Sequence, residues 1–213
     1  MHAAKTPKLP KDPDRTREDI LRVATEAFSR DGLAGARVDD IAELTQTSKR
    51  MIYYYFEGKE GLYRAVLDRC YDDIRTREAD AHRDDLEPEA ALANLVRVKF
   101  DYHHDHPDFI RLVMVENINK GEHIASLPEP RMRGKLALAQ LNTILNRGIE
   151  TGVFRRGLNA LDVHTMISAL CFYNVSNRWT VKHILDVDMC DPLEITRRRE
   201  VVVDAVLCFV RTA

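Results

Sequence analysis

The densest chemistry in the 213-residue chain is a run of short polar and cationic side chains placed just ahead of two tyrosines: Thr47, Ser48, Lys49 and Arg50, then Tyr53 and Tyr54. Hydroxyl, ammonium and guanidinium groups all donate hydrogen bonds, and the aromatic rings a turn later add phenolic and apolar contact. That combination suits the phosphates and base edges of a nucleic-acid duplex. A second cluster, His103, His104, Asp105 and His106, has the residue types of a metal site. Its spacing does not, because neighbouring residues diverge around a helix and no second His or carboxylate motif completes a shell. No metal and no cofactor is expected. Cys70, Cys171, Cys190 and Cys208 stand far apart with no C-x-x-C pair, so zinc-finger and dithiol chemistry lack their spacing. All four are expected to be small apolar fillers.

Two other function classes compete with nucleic-acid binding. A helical hydrolase or metal enzyme would use His103, His106 and Glu116, but the chain has no nucleophile elbow, phosphate loop or H-E-x-x-H pair. A helical adaptor that binds only protein would leave Lys49, Arg50, Tyr53 and Tyr54 without a use.

The elements that must position the polar run read as helices throughout. From Asp14 the apolar residues Ile20, Leu21, Ala24, Ala27 and Phe28 recur at helical steps, with Asp12 and Asp14 as candidate N-caps and Gly32 as a stop. Val38, Ile41 and Leu44 mark a short second helix. Thr45-Gln46-Thr47 interrupts it, and Ser48 can cap a third helix over Lys49 to Phe56. The segment Met51 to Phe56 has strand propensity, but its cap, its helical neighbours and the i, i+3, i+4 placing of Ile52, Tyr55 and Phe56 favour helix. Tyr53 and Tyr54 then fall on the outward face, with Tyr55 and Phe56 in the core. A longer helix follows from Lys59 towards Ala81, and further helices are expected near 88–105, 108–120, 135–151, 160–185 and 192–211. The fold class is therefore all-α. Two short helices joined by a tight turn and braced by a longer first helix form a helix-turn-helix, whose second helix enters a major groove by its N-terminus.

Composition limits the rest. A hydrophobic share of 45% and a charged share of 31% are ordinary for a globular chain that buries a core. The longest charge-free stretch, between Asp162 and Arg178, is too short to span a bilayer, so no membrane partner is expected. The first residues lack the apolar run of a secretory signal, and a cytoplasmic location is expected. Net charge is −2. Residues 1–64 carry 12 Lys and Arg against 11 Asp and Glu, and the remainder 20 against 23, so neither part is a basic domain. Any affinity for DNA must come from where a few cations sit. Residues 1–13, with three prolines and three lysines, read as a flexible basic arm that either reaches a minor groove or remains a free tail.

The stretch Val38 to Leu62, VDDIAELTQTSKRMIYYYFEGKEGL, resembles the DNA-binding signature of TetR-family transcriptional regulators. The likeness runs through Ile41-Ala42, Ser48, Ile52-Tyr53, Tyr55-Phe56 and Lys59-Glu60-Gly61-Leu62, and covers residues 14–63 strongly. It implies a helix-turn-helix DNA-binding domain over 14–63 and a helical ligand-binding and dimerisation domain over 64–213. It further implies that Ser48, Lys49, Arg50 and Met51 face the groove, that Tyr53 bonds a phosphate, that Tyr54 reaches a base edge or thymine methyl, and that Lys59 meets phosphate. Three positions depart from the usual pattern. Arg37 stands where a Ser or Thr cap is common, Gln46 replaces the turn glycine, and Arg50 replaces a small residue and adds a candidate guanine contact.

The same resemblance implies a homodimer through 160–185 and 192–211, a pseudo-palindromic double-stranded operator, and a small-molecule effector held in the bundle, most often releasing a repressor. Candidate pocket residues are Phe100, His103, Glu116, Asn117, Phe172, Tyr173, Asn174, Asn177 and Trp179, polar or aromatic side chains set among apolar ones. RLVMVENINKGEH, from Arg111 to His123, and FYNVSNRW resemble a subgroup around the pyrimidine-utilisation regulator RutR.

Overall fold

A computed structural model describes residues 13–81, 83, 85–128 and 130–212. The arm expected over residues 1–13 lies outside the described residues except for Pro13, which opens the first helix. Among the described residues the chain is all-α. The helices are α1 (Pro13–Gly35), α2 (Val38–Leu44), α3 (Lys49–Phe56), α4 (Lys59–Asp80), α5 (Pro88–Asp105), α6 (Pro107–Ile118), α7 (Pro130–Glu150), α8 (Ala160–Ser176), α9 (Arg178–Leu185) and α10 (Pro192–Val210), with a 3-10 turn at Ile124–Ser126. Two compact units divide inside α4, one ending at Leu67 and the other beginning at Asp68.

In the first unit, the apolar stripe of α1 turns Ile20, Leu21, Ala24, Ala27 and Phe28 inward. Phe28 meets the fully buried Tyr63 of α4 edge to face, with centroids 5.1 Å apart, the preferred geometry for two ring quadrupoles. Ile41 from α2, and Ile52 and Phe56 from α3, close the same core. Gly32 does break α1 (φ 68, ψ 175), a left-handed twist that glycine adopts without a Cβ penalty, but helical bonding resumes as far as Gly35. Asp14 is not a cap. It lies inside the first turn, where its charge still complements the helix dipole.

In the second unit α5 is central and packs against α6, α7, α8 and α10. Its Leu92, Val96 and Phe100 share one face and are fully buried, because residues three and four apart stack on the same side of a helix. Leu141 and Leu145 from α7, Ile167 and Cys171 from α8, and Val203 and Val206 from α10 complete this core. After α7 the chain folds back so that the buried Phe154 ring lies on Gly148. A Cβ at position 148 would stand 2.0 Å from Phe154 Cδ2. Backbone bonds from Arg155 N to Val210 O (2.8 Å) and from Thr212 N to Val153 O (3.2 Å) secure the return.

Several expected boundaries move. The segment 160–185 is two helices, broken at Asn177, whose side-chain amide turns to Ser176 Oγ at 2.9 Å; short polar side chains of this kind favour local bonds over helix continuation. Proline at the first helical position starts α6 at Pro107 rather than 108 and α7 at Pro130 rather than 135. Leu44 is 68% exposed, since α2 is too short for its last turn to reach the core. Cys70 and Cys171 are buried fillers as expected, but Cys190 and Cys208 are exposed, on the segment before α10 and on its outer face. Gly148→Ala is expected to destabilise the protein by about 1–3 kcal/mol, because the added methyl must displace a buried ring. Thermal or urea unfolding checks it, and an unchanged midpoint contradicts the close approach.

Candidate functional site

The helix that carries the polar run is only eight residues long, so its ends and its inner face must hold it. Ser48 takes the extended cap conformation (φ −98, ψ 148), and its Oγ accepts from Met51 N at 3.3 Å. At the other end Glu57 adopts a left-handed conformation (φ 60) and its N–H returns to Tyr53 O. Ile52 and Phe56 anchor the inner face, with Arg17 of α1 over the Phe56 ring at 5.5 Å.

The turn before it is built around Gln46. With φ 50, Gln46 occupies the left-handed position itself, so the missing glycine changes the strain but not the turn. Thr45 and Thr47 send their N–H groups back to Ile41 O and Ala42 O, and the Thr45 hydroxyl donates to Ile41 O at 2.8 Å. Arg37 caps α2 with its backbone alone, its guanidinium 3.9 Å from Asp40.

This scaffold presents Ser48, Lys49, Arg50, Tyr53 and Tyr54 to solvent, Tyr54 at 77% exposure. Thr47 and Met51 are half-buried at the edge of that face. Tyr55 is also half-buried, not in the core, because its ring stacks edge-on against Tyr54 with centroids 5.4 Å apart. Lys49 Nζ stands 3.1 Å from the Asp39 carboxylate, an exposed pair of small net value that phosphate can displace. Arg50 meets no acidic side chain among the described residues. Lys59, expected to point at phosphate, donates from Nζ to Ala34 O at 3.1 Å and ties the start of α4 to the end of α1.

The nine candidate pocket residues differ in burial, and of them only Trp179 lines either of the two clefts described below. Phe100, His103, Glu116 and Asn174 are buried and Phe172 and Asn177 half-buried, but Asn117, Tyr173 and Trp179 are exposed. Asn117, next in the chain to the buried Glu116, lies on the outer face of α6 and bonds its own helix at Val113 O. The Glu116 carboxylate, wholly buried, is spent on the following loop, accepting from His123 N (3.1 Å) and Ile124 N (3.2 Å) and meeting His123 Nδ1 (3.1 Å). Burial lowers the His103 pKa to about 3, while His106 lies flat on Tyr102 with its Nδ1 3.0 Å from Tyr102 O. Trp179 lies in an open groove with Ile110, Met114 and Val175.

A narrow cleft lies elsewhere, lined by Glu78, Leu95, Lys99, Ala137, Gln140, Leu141, His164 and Ile167. Lys99 and Glu78 are each 4% exposed and pair at 3.0 Å. Burial raises the pKa of Glu78, but Lys99 and Arg75 outweigh it and hold the group below its usual value. Burial lowers Lys99, with Glu78 opposing. Sequence reading passed over this pair, although a signal was there. Lys99 follows Leu92 and Val96 on the inner stripe of α5, and Glu78 follows Ile74 by one turn on α4.

A short capped helix with an exposed donor-and-aromatic face, set behind a tight turn and braced by α1, is a helix-turn-helix DNA-binding domain, and an all-helical bundle follows it. A family model described as "Bacterial regulatory proteins, tetR family" matches residues 20–66, and one described as "Tetracyclin repressor-like, C-terminal domain" matches residues 88–206. The chain belongs to the TetR family of transcriptional regulators, which act by binding DNA and not as enzymes. It is 36% identical over 191 residues to the HTH-type transcriptional repressor NicS of Pseudomonas putida, covering 90% of each chain. To the HTH-type transcriptional regulator RutR of Escherichia coli it is 40% identical over 97 residues, 46% of this chain and 45% of RutR. Among solved structures it is similar to the putative transcriptional regulator SCO4942 of Streptomyces coelicolor, with TM-score 0.67, 27% identity, and 92% and 98% of the two chains covered.

The Ser48 cap sets where α3 begins. Ser48→Ala is expected to cost about 0.5–2 kcal/mol of stability. Urea unfolding followed by circular dichroism measures it, and no loss would show that α3 does not rely on this bond.

Proposed function

We propose that the chain is a homodimeric repressor in the cytoplasm, seating one α3 from each protomer in successive major grooves of a pseudo-palindromic operator and released by a small-molecule effector. The observation that carries this reading is the outward face of α3. Arg50 and Tyr54 are exposed at the start and middle of a helix whose opposite side is locked into a core. Arg50 is assigned a guanine edge, worth about 1–3 kcal/mol of discrimination when bidentate. Tyr54 is assigned a base edge or thymine methyl, and Tyr53, Ser48, Lys49 and Thr47 are assigned phosphate. Met51 fills the edge of the same face. Lys59 joins the phosphate contacts by exchanging its Ala34 carbonyl for a phosphate oxygen.

Two exposed stripes support the dimer. Leu161, Thr165, Ala169 and Tyr173 recur every four residues on α8, and Val201, Ala205 and Phe209 do so on α10. Four-residue steps lie along one ridge of a helix, so each stripe is a continuous surface for packing against a second copy. A two-fold pair matches half-sites about 34–36 Å apart. Release then requires the effector to bind the DNA-incompetent spacing more tightly; equal affinity would shift nothing. No helix among the described residues is long and apolar enough to cross a membrane.

Arg50→Ala combined with Tyr54→Ala is expected to abolish operator binding in gel shifts while the dimer persists in size-exclusion chromatography with light scattering. Unchanged DNA affinity would refute the assignment. Lys59→Ala is expected to weaken binding to all sequences alike and to reduce the slope of log affinity against log salt by about one unit. An unaltered slope would remove Lys59 from the phosphate contacts.

A further inference from the structure

Lys99 is the most deeply buried cation among the described residues, and it lies in the wall of the narrow cleft rather than in solid core. An ammonium taken out of water needs an anion in contact, and Glu78 supplies it at 3.0 Å. Glu78 has a second partner, Arg75, one turn earlier on α4, so its carboxylate is held by two cations at once. His164 lines the same cleft, and burial lowers its pKa to about 4, leaving it neutral at physiological pH. The cluster of Arg75, Glu78, Lys99 and His164 therefore carries one net positive charge. The same cleft is lined by the apolar side chains of Leu95, Leu141 and Ile167, and Gln140 adds an amide.

We propose that this cleft binds a small organic monoanion, a carboxylate on a compact apolar body, which replaces Glu78 as the counter-ion of Lys99. The inference rests on reading the chain as an effector-responsive regulator, and names the chemical class of the effector. Three features carry it. The net charge at the cleft is neutralised by one carboxylate, the apolar walls face a hydrocarbon body, and neutral His164 and Gln140 are left to bond a polar substituent. Room for about one water-sized sphere separates the lining residues. A ligand thus enters by parting Glu78 from Lys99, and Glu78 keeps Arg75 as its partner when it leaves. Both residues belong to α4, the helix that begins directly after the recognition helix. Exchanging one carboxylate for another at Lys99 conserves charge, so the buried ammonium never stands alone.

The test uses the full-length protein and isothermal titration with matched probes: benzoate and cyclohexanecarboxylate against benzamide and benzylamine. The carboxylates are expected to bind at least about tenfold more tightly than the amide, as charge-assisted bonding to a buried ammonium requires, and more tightly still than the amine. Lys99→Met should reduce carboxylate affinity to that of benzamide. Glu78→Gln should do the opposite and strengthen carboxylate binding, by removing the competing anion while leaving Lys99 charged. A merely structural ion pair would not give opposite signs in these two variants. If Lys99→Met does not fold by circular dichroism, Glu78→Gln decides: stronger carboxylate binding supports the proposal, and unchanged or weaker binding overturns it. Absence of carboxylate binding, or equal binding of amide or amine, also overturns it. A gel shift on the same preparation separates the two readings. Operator binding without carboxylate binding sinks this inference alone, whereas carboxylate binding without any DNA binding supports the cleft and sinks the repressor reading.

Discussion

An eight-residue helix has no independent existence in water. Nucleating it costs more than its few internal hydrogen bonds return, and it persists only where tertiary packing supports it. Everything α3 can do at a duplex depends on that support. Ile52 and Phe56 supply it from below, inside a core whose centre is the Phe28–Tyr63 pair. The Ser48 cap and the left-handed Glu57 supply it at the two ends. With its inner face and both termini fixed, the outer face is free to be polar throughout. Lys49, Arg50, Tyr53 and Tyr54 therefore project without their side chains bearing on whether the helix forms, while Ser48 serves both as cap and as part of the exposed face. The division lets one small scaffold carry different outward residues, as the departure at Arg50 from the usual family pattern illustrates.

The second unit answers a different constraint, the cost of charge in an apolar interior. α5 is its central helix, and most of the inner face of α5 is aliphatic or aromatic. Lys99 interrupts that face and is tolerated because Glu78 reaches it from α4 and Arg75 braces Glu78 in turn. Buried ion pairs of this kind contribute little stability over a hydrophobic replacement. What they add is a position where interior charge can be rearranged. Glu116 shows the contrasting use. Its carboxylate is as deeply buried, but it serves as a local anchor that ties the loop at His123 and Ile124 to α6.

Much of the architecture was legible in residue order because helices write their faces into local spacing. The bounds of α3 and α5 follow from cap and proline positions, the inward turn of Ile52 and Phe56 from their period, and the helix-turn-helix from two short helices around one turn. The family resemblance rested on those same residues. Where the reading moved, the reason was again local but finer than a periodic pattern resolves. Ser176-Asn177 breaks a long apolar segment into α8 and α9 by side-chain bonding, and prolines open α6 and α7 earlier than the apolar pattern begins. Gln46 fills a left-handed position that spacing alone assigns to glycine.

The sequence by itself thus determined that the chain is helical, where most helices run, and which residues of α3 look outward, because all of these depend on contacts within a few residues. Only the tertiary structure decided which polar residues of the bundle share a space. Asn117 and Tyr173 sit beside buried neighbours in the chain yet face outward, while Glu78 and Lys99, 21 positions apart, meet beneath the surface. A polar side chain set in an apolar stretch reads the same from sequence whether it lines a cleft, anchors a loop or faces water. Only the packing of α4, α5, α7 and α8 against one another fixes which.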